Sequence, residues 1–227
     1  EKVRRVVATS FYISMREITT DDIDFNIQRL GLWLKYNQKS AISKTEWESL
    51  AIASKPKLKG ELFVGVKYGH DGQHVAMSVA SKTNEGKIFV EALDCRTIRE
   101  GNDWILSYIA EMKPKTVVAD GANGQHILEK DMKDAKMKAP TLPTVKEIIG
   151  ANATFEQGLF KGNICHSNQA SLTQSVSNSE KRAIGSNGGF GYRSLKEGVE
   201  IALLDSVILA YWKCTETKER KKQIARY

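Results

Sequence analysis

The first part of the chain carries a hydrophobic pattern that is typical of helices. Across 21–37, apolar side chains recur mostly at steps of three and four residues, as they do on one face of a helix. A second, short helix is predicted after Ser43, because Ser43 and Glu46 have the spacing of a capping box and Trp47 can pack inward. This part of the sequence is therefore predicted to be helical.

The period of the hydrophobic pattern changes near Gly60. The segment 55–60 contains one proline, one glycine and three lysines, which is typical of a linker. After it, apolar segments bounded by glycine-containing turns predict strands at 62–68, 74–80 and 87–93. Three strands joined by short turns indicate an antiparallel meander.

Beyond the meander, predicted helices and strands alternate. Hairpins followed by such an alternation indicate an α/β fold, with a mixed sheet flanked by helices. The chain is therefore divided into a helical linker segment, 1–59, and an α/β domain, 60–227. The predicted elements of the second half are a helix at 99–112, a strand at 116–119, a helix at 123–136, an extended piece at 144–146, helices at 147–160 and 168–176, a glycine-rich hairpin or mobile loop at 181–193, and a helix at 195–213.

Composition and charge limit the class of protein. Of the 227 residues, 41% are hydrophobic and 4 are proline, which excludes a disordered chain. Apolar runs stay below the roughly 18 to 20 residues of a membrane span, and no secretory signal is visible. The 3 cysteines are far apart, so a reducing cytosol is expected. The net charge of +7 favours a polyanionic partner, with nucleic acid ahead of a membrane surface.

Two carboxylates occupy unusual positions in this pattern. Asp205 lies in a segment that is apolar nearly all round the predicted helix, where an ionised carboxylate costs several kcal/mol unless a cation, hydrogen bonds or a metal offset it. Asp120 ends a predicted apolar strand, at the edge where open α/β sheets bind ligands. The ordinary alternatives are a buried ion pair for Asp205 and a helix cap for Asp120. Together, the two acids suit a divalent cation such as Mg²⁺.

A lysine and a third acid lie around the end of the first predicted strand. Asp71 precedes Gly72, and an Asp-Gly pair is a frequent hairpin signal. If the strand stays extended, Lys67 and Asp71 face the same side of the sheet. A lysine in an apolar strand is itself unusual, and Lys67 could offset local negative charge or contact a phosphate.

The order of these elements resembles the nuclease domain of tailed-bacteriophage DNA-packaging terminase large subunits. The resemblance covers most of the chain and includes the acid-bearing hairpin, the segment Val117–Gly121 and the late helix Ala202–Trp212. Residues 26–33, followed by Ile42 and by Glu46 and Trp47, look like the segment that connects the ATPase motor to the nuclease in that family. The resemblance implies a helical linker over 1–59 and a ribonuclease-H-like nuclease domain over 60–227. The lysine that an ATP-binding loop needs after Gly65 is absent, so this part is not expected to hydrolyse ATP.

The resemblance also implies an activity and a metal site. It implies an endonuclease that cuts concatemeric double-stranded viral DNA with two Mg²⁺ or Mn²⁺ ions, in the cytoplasm of the infected bacterium, together with a terminase small subunit and a portal protein. Asp120 and Asp205 match the second and last acids of the family. At the position of the first acid this sequence has Lys67, so either Asp71 substitutes from the hairpin or the site is incomplete. We favour substitution, which makes Asp71, Asp120 and Asp205 the predicted catalytic metal ligands.

DNA contacts are predicted from basic residues near these acids. Lys67 and the glycine-rich segment with Lys181, Arg182 and Arg193 are candidates for phosphate contacts, because glycine lets a loop adapt and arginine pairs with phosphates. Two alternatives stay open for the whole protein. One is another ribonuclease-H-like enzyme, such as a resolvase, transposase or integrase. The other is a noncatalytic DNA-binding assembly module in which Lys67 has replaced a metal ligand.

Overall fold

The computed structural model describes residues 40–185, 188–196 and 199–217. The helix predicted at 21–37 and the basic end of the chain after Thr217 lie outside these residues. Within the described part, no helix has the length and the apolar character that a membrane span requires.

The helices and strands follow one another largely as the hydrophobic pattern predicts. The antiparallel meander, the alternation that follows it and the hairpin near the end of the chain are all present. In chain order the elements are α1 (Lys44–Glu48), β1 (Phe63–Tyr68), β2 (His74–Lys82), β3 (Ile88–Thr97), α2 (Asp103–Met112), β4 (Thr116–Asp120), α3 (Gln125–Asp134), α4 (Val145–Phe160), β5 (Ile164–His166), α5 (Ala170–Ser177), β6 (Ser179–Ile184), β7 (Gly189–Ser194) and α6 (Ala202–Glu216).

The central sheet has the strand order β4-β1-β2-β3-β5. Strand β2 is antiparallel to both of its neighbours, whereas the pairs β1–β4 and β3–β5 are parallel. The sheet separates two hydrophobic cores, one with residues of α4, α5 and α6, the other with residues of α2 and α3. The predicted mixed sheet with helices on its faces is confirmed.

A glycine in β1 allows helix α6 to lie directly on the sheet. A Cβ atom at Gly65 would fall on the backbone carbonyl oxygen of Ser206. The same helix is held on β2 by a 2.6 Å hydrogen bond between the buried hydroxyl groups of Ser78 and Ser206. Because side chains alternate along a strand, Gly65 and Lys67 share a face. The close approach therefore brings Asp205 next to Lys67.

Two helices begin with the same capping box. The predicted box at α1 is confirmed, since the side chain of Ser43 accepts from the Glu46 amide and Glu46 accepts from the Ser43 amide. Thr144 and Glu147 make the same reciprocal pair at α4. This pair starts the helix directly after Thr144, so the extended segment predicted at 144–146 is wrong.

A helix boundary and a short strand also differ from the prediction. Helix α6 begins seven residues later than predicted, because the chain after β7 still follows the hairpin: the Leu195 amide donates to the Asn178 carbonyl at 2.8 Å. Strand β5 was not predicted. It has three residues, which is too short for an alternating pattern, and it depends on parallel pairing with β3.

The segment 40–59 packs against β5, the edge strand of the sheet. The Trp47 ring stacks on the His166 ring with 3.9 Å between centroids, and His166 Nε2 lies 2.9 Å from the Trp47 carbonyl oxygen. Burial lowers the pKa of His166, so this ring is a neutral part of the packing. Whether residues 1–59 act as a linker stays a prediction.

Candidate active site

The carboxyl ends of β1 and β4 place a lysine beside an acid. Lys67 and Asp120 are paired residues on these two neighbouring parallel strands. The Lys67 ammonium forms an ion pair with Asp120 Oδ2, and both side chains are largely buried. Directly after Asp120 the chain turns away at Gly121, whose φ of 114° favours glycine. A Cβ atom at Gly121 would also meet the Tyr68 carbonyl oxygen.

Helix α6 brings the second acid to the same lysine. Asp205 lies in the first turn of α6, where a carboxylate is favoured by the helix dipole. Its Oδ2 atom is 4.0 Å from Lys67 Nζ and 4.0 Å from His70 Nε2. Asp120 and Asp205, which are distant in sequence, therefore share one ammonium group.

The environment of Asp205 disfavours its charged form. Burial raises the pKa of Asp205 to about 6, and the nearby charges of Asp120 and Glu200 act in the same direction, against Lys67 and Arg182. The Asp205 side chain is 13% exposed. A carboxylate that its neighbours only partly compensate is typical of functional sites, where a ligand supplies the missing charge.

Arg182 and His70 line the same cavity as the two acids. Arg182, on β6, lies with Nη2 3.4 Å from His70 Nε2. Burial, Lys67 and Arg182 together lower the pKa of His70, so its Nε2 accepts from Arg182 as a neutral ring. The cavity between these groups is lined by Lys67, His70, Asp120, Ile148, Ala151, Asn152, Arg182, Ile184, Gly191, Tyr192, Asp205, Ile208 and Leu209. Two acids, two cationic side chains and a neutral imidazole at one cavity suit an anionic ligand that is bound together with a cation.

Asp71 is engaged by its own hairpin. Its Oδ1 atom accepts from the Gln73 amide at 2.8 Å and from the His74 amide at 3.2 Å, and its Oδ2 atom contacts His74 Nδ1. Burial alone would raise the pKa of Asp71, but these hydrogen bonds lower it overall. Asp71 is not among the residues that line the cavity, so the structure gives it the turn role; its metal-ligand role stays a prediction.

Of the basic residues predicted on the hairpin, Arg182 reaches the cavity. Lys181 pairs with Glu156 and lies over the Phe190 ring, whereas Arg193 pairs with Glu180. Of the two predicted alternatives for this segment, a hairpin or a mobile loop, the pairing of β6 with β7 shows the hairpin. The DNA-contact roles of these residues stay predictions.

Several residues near the site were not predicted from the sequence, among them Tyr192 and Glu200. The Tyr192 hydroxyl is buried at the cavity and has no hydrogen-bond partner within the described ranges. Glu200 precedes α6, and its carboxylate lies with that of Asp71 around Gly69. Tyr192 lies in the glycine-rich segment, whose sequence carries no alternating pattern that would indicate a buried side chain. Glu200 had no signal beyond its closeness to Asp205.

Several solved structures share this fold. The large terminase of bacteriophage HK97 matches 76% of the chain with a TM-score of 0.60 and 16% identity. The large-terminase nuclease of thermophilic phage G20c with bound magnesium matches 76% of the chain and 97% of its own length, with a TM-score of 0.52 and 16% identity. The chain has the fold of a phage large-terminase nuclease domain. The predicted ribonuclease-H-like fold is thus confirmed.

The matched structures differ in how much of their own length the chain covers. It spans 43% of the HK97 large terminase but nearly the whole of the separate nuclease domains. A mutant nuclease domain of the large terminase subunit of bacterial virus Sf6 with manganese matches 75% of the chain and 98% of its own length, with a TM-score of 0.52 and 12% identity. No protein-family model and no curated protein matches the sequence.

Proposed function

We propose that this chain is the nuclease domain of a viral DNA-packaging terminase large subunit. In this role it hydrolyses concatemeric double-stranded DNA with a divalent cation, Mg²⁺ or Mn²⁺. The proposal includes an ATPase motor in the whole subunit, a small subunit and a portal protein as partners, and action in the cytoplasm of the infected bacterium. The fold it shares with terminase nucleases, including domains solved with magnesium and with manganese, supports it.

The observation that carries the proposal is the convergence of Asp120 and Asp205 on Lys67. The two acids come from a strand end and a buried helix, and both ion-pair with the same ammonium group. A single carboxylate is enough to neutralise the charge of one lysine in a structural ion pair. The additional carboxylate, with its raised pKa, leaves negative charge that a bound cation would neutralise.

These two carboxylates fit one divalent cation. The described residues contain no group of three or more His, Cys, Asp or Glu side chains placed to hold a metal. Mg²⁺, however, is commonly held by one or two carboxylates together with water and substrate phosphates. Asp120 and Asp205 are the residues that would hold it. When bound, such an ion lowers the pKa of a coordinated water and neutralises charge on the phosphate.

The basic side chains that line the cavity would contact the phosphates of DNA. Arg182 and Lys67 line the cavity and attract a phosphate, while neutral His70, whose Nε2 accepts from Arg182, keeps its Nδ1–H as a donor. Hydrolysis adds one water across the phosphodiester: the water oxygen stays on phosphorus, the bond from phosphorus to the 3′ oxygen breaks, and the 3′ oxygen takes a proton. Contacts to phosphates carry no base information, so we expect cutting without strong sequence preference.

Plasmid cleavage tests this function. We expect the wild-type protein to nick and linearise supercoiled DNA in Mg²⁺ or Mn²⁺, and a chelator to stop it. Asp120→Ala and Asp205→Ala should each lower the rate by about 100-fold or more, because each removes a cation ligand. The matched control is Asp134→Ala, an exposed acid at the end of α3. Cleavage that both site variants retain would contradict the assignment.

A noncatalytic DNA-binding module is the second candidate. One observation favours it: Lys67 stands where the family resemblance implies an acid, and it already neutralises part of the charge of Asp120 and Asp205. In that case the folded wild-type protein binds duplex DNA with an affinity that falls steeply with salt, yet leaves plasmid intact in both metals.

A further inference from the structure

Position 67 differs in charge from the acid that the terminase resemblance implies there. Lys67 is held at the carboxyl end of β1, between β2 and β4, and its side chain is 8% exposed. Its ammonium group contacts Asp120 and lies 4.0 Å from Asp205. The cation is therefore a fixed part of the site and not a solvated surface charge.

The formal charge of the site decides how many divalent ions it can hold. Counting only the metal-binding carboxylates, the residue at position 67 and the ions, three carboxylates with two divalent ions carry a net charge of plus one. Two carboxylates, one ammonium group and one divalent ion carry the same net charge. A second divalent ion beside Lys67 would raise the net charge to plus three in a largely buried place, where charge that is not compensated is strongly unfavourable.

We propose that this centre takes a single divalent cation and that the Lys67 ammonium supplies the positive charge of a second one. The inference rests on the proposed nuclease function. Lys67 is suited to this task because an ammonium group is a compact point charge with three donors. It cannot coordinate or activate a water, so its contribution is to neutralise charge on the phosphate and on the leaving oxygen.

Asp71, in the hairpin after β1, also affects the expected number of bound ions. If Asp71 substituted for the missing acid, a second ion would regain a ligand. Its carboxylate instead accepts two backbone hydrogen bonds and contacts the His74 ring within the turn. A single-ion centre therefore predicts that Asp71→Ala leaves the number of bound ions unchanged.

Counting bound Mn²⁺ tests the inference without relying on cleavage. Free Mn²⁺ is measured by electron paramagnetic resonance while the ion is titrated into the protein. We expect one ion per wild-type chain, none for Asp120→Asn combined with Asp205→Asn, and two for Lys67→Asp, which creates a third carboxylate. Two ions on the wild-type chain, or none, would overturn the single-ion centre.

A second variant covers the case in which Lys67→Asp does not fold. Lys67→Gln removes the charge and keeps most of the side-chain length. It should still bind one Mn²⁺, at least tenfold more tightly, because the ammonium no longer opposes the ion, while plasmid cleavage falls by about 100-fold. Wild-type cleavage rates in Lys67→Gln would refute the role of Lys67. Wild-type protein that binds two ions and cleaves would refute this inference alone, whereas a folded protein that binds none and does not cleave would also refute the nuclease function.

Discussion

Two acids near the end of strand β1 differ in how the protein treats their charge. Asp71, in the hairpin after β1, accepts hydrogen bonds from two backbone amides, and its pKa is lowered. Asp205, on helix α6, shares one lysine with Asp120, and its pKa is raised to about 6. The hairpin therefore stabilises the charged form of Asp71, whereas the surroundings of Asp205 disfavour its charged form. The comparison favours a turn role for Asp71 and a ligand-binding role for Asp205, and both roles stay predictions.

The largest expected effect concerns the contact that brings Asp205 into place. Gly65→Ala puts a methyl group onto the Ser206 carbonyl oxygen, so α6 must move off the sheet. Overpacking against backbone usually costs about 1 to 3 kcal/mol, and here we expect about 3 kcal/mol in the free energy of unfolding. Urea titration measures it.

The control for Gly65 is a glycine with open space around it. Gly150→Ala lies in the interior of α4, where an added Cβ meets nothing within 4 Å. Alanine is the better helix former by roughly 0.5 to 1 kcal/mol, so this variant should be slightly more stable than wild type. Equal effects of the two substitutions would show that α6 does not depend on the close approach at Gly65.

The second effect is the cost of charging Asp205. Because its folded pKa lies above the value of about 3.9 in an unfolded chain, ionisation weakens the fold as pH rises from about 4 to about 6. Asp205→Asn removes this cost. We expect it to be about 2 kcal/mol more stable than wild type at pH 7 and nearly equal to it at pH 4. Thermal unfolding over this pH range measures the difference; lower stability of the variant at pH 7 would show that the ion pair with Lys67 dominates.

The sequence was informative where local chemistry sets the structure. The capping box at Ser43 and the buried strand that ends at Asp120 each have a pattern within a few residues, and both are present. The unusual position of Asp205 was visible because its neighbours in the helix are apolar. The short strand β5 was not predictable, because its pairing with β3 arises from contacts far apart in the chain.

The same distinction holds within the site. That Lys67 and Asp120 are paired residues depends on the register between β1 and β4, which no local pattern gives. The Tyr192 hydroxyl reaches the cavity only because the hairpin β6–β7 lies over it. Residue types could therefore suggest the acids, whereas the shared lysine and its neighbours required the tertiary structure.

A smaller effect of opposite sign is expected at Asp71. Its lowered pKa means that the ionised carboxylate stabilises the hairpin above the unfolded value of about 3.9 and that this stability is lost as pH falls through the folded pKa. Asp71→Ala should cost about 1 kcal/mol at pH 7, from the lost hydrogen bonds, and less at pH 3. Chemical denaturation at the two pH values, with Asp134→Ala as control, measures it. A gain in stability at pH 7 would place Asp71 with Asp205 as an acid held for a ligand.

The smallest effect concerns Tyr192. Like Asp205, it is a polar group at the cavity whose burial is not fully offset by hydrogen bonds or opposite charges. Its buried hydroxyl has no partner in the part of the chain described here, so Tyr192→Phe loses no hydrogen bond and removes a desolvation cost. We expect a gain of about 0.5 kcal/mol in the free energy of unfolding. The matched control is Tyr68→Phe, whose hydroxyl donates to Asn102 Oδ1 at 2.7 Å and should cost about 1 kcal/mol. If both variants lose the same stability, the Tyr192 hydroxyl has a partner in the free protein, and Asp205 is then the better-supported example of a group held for a ligand.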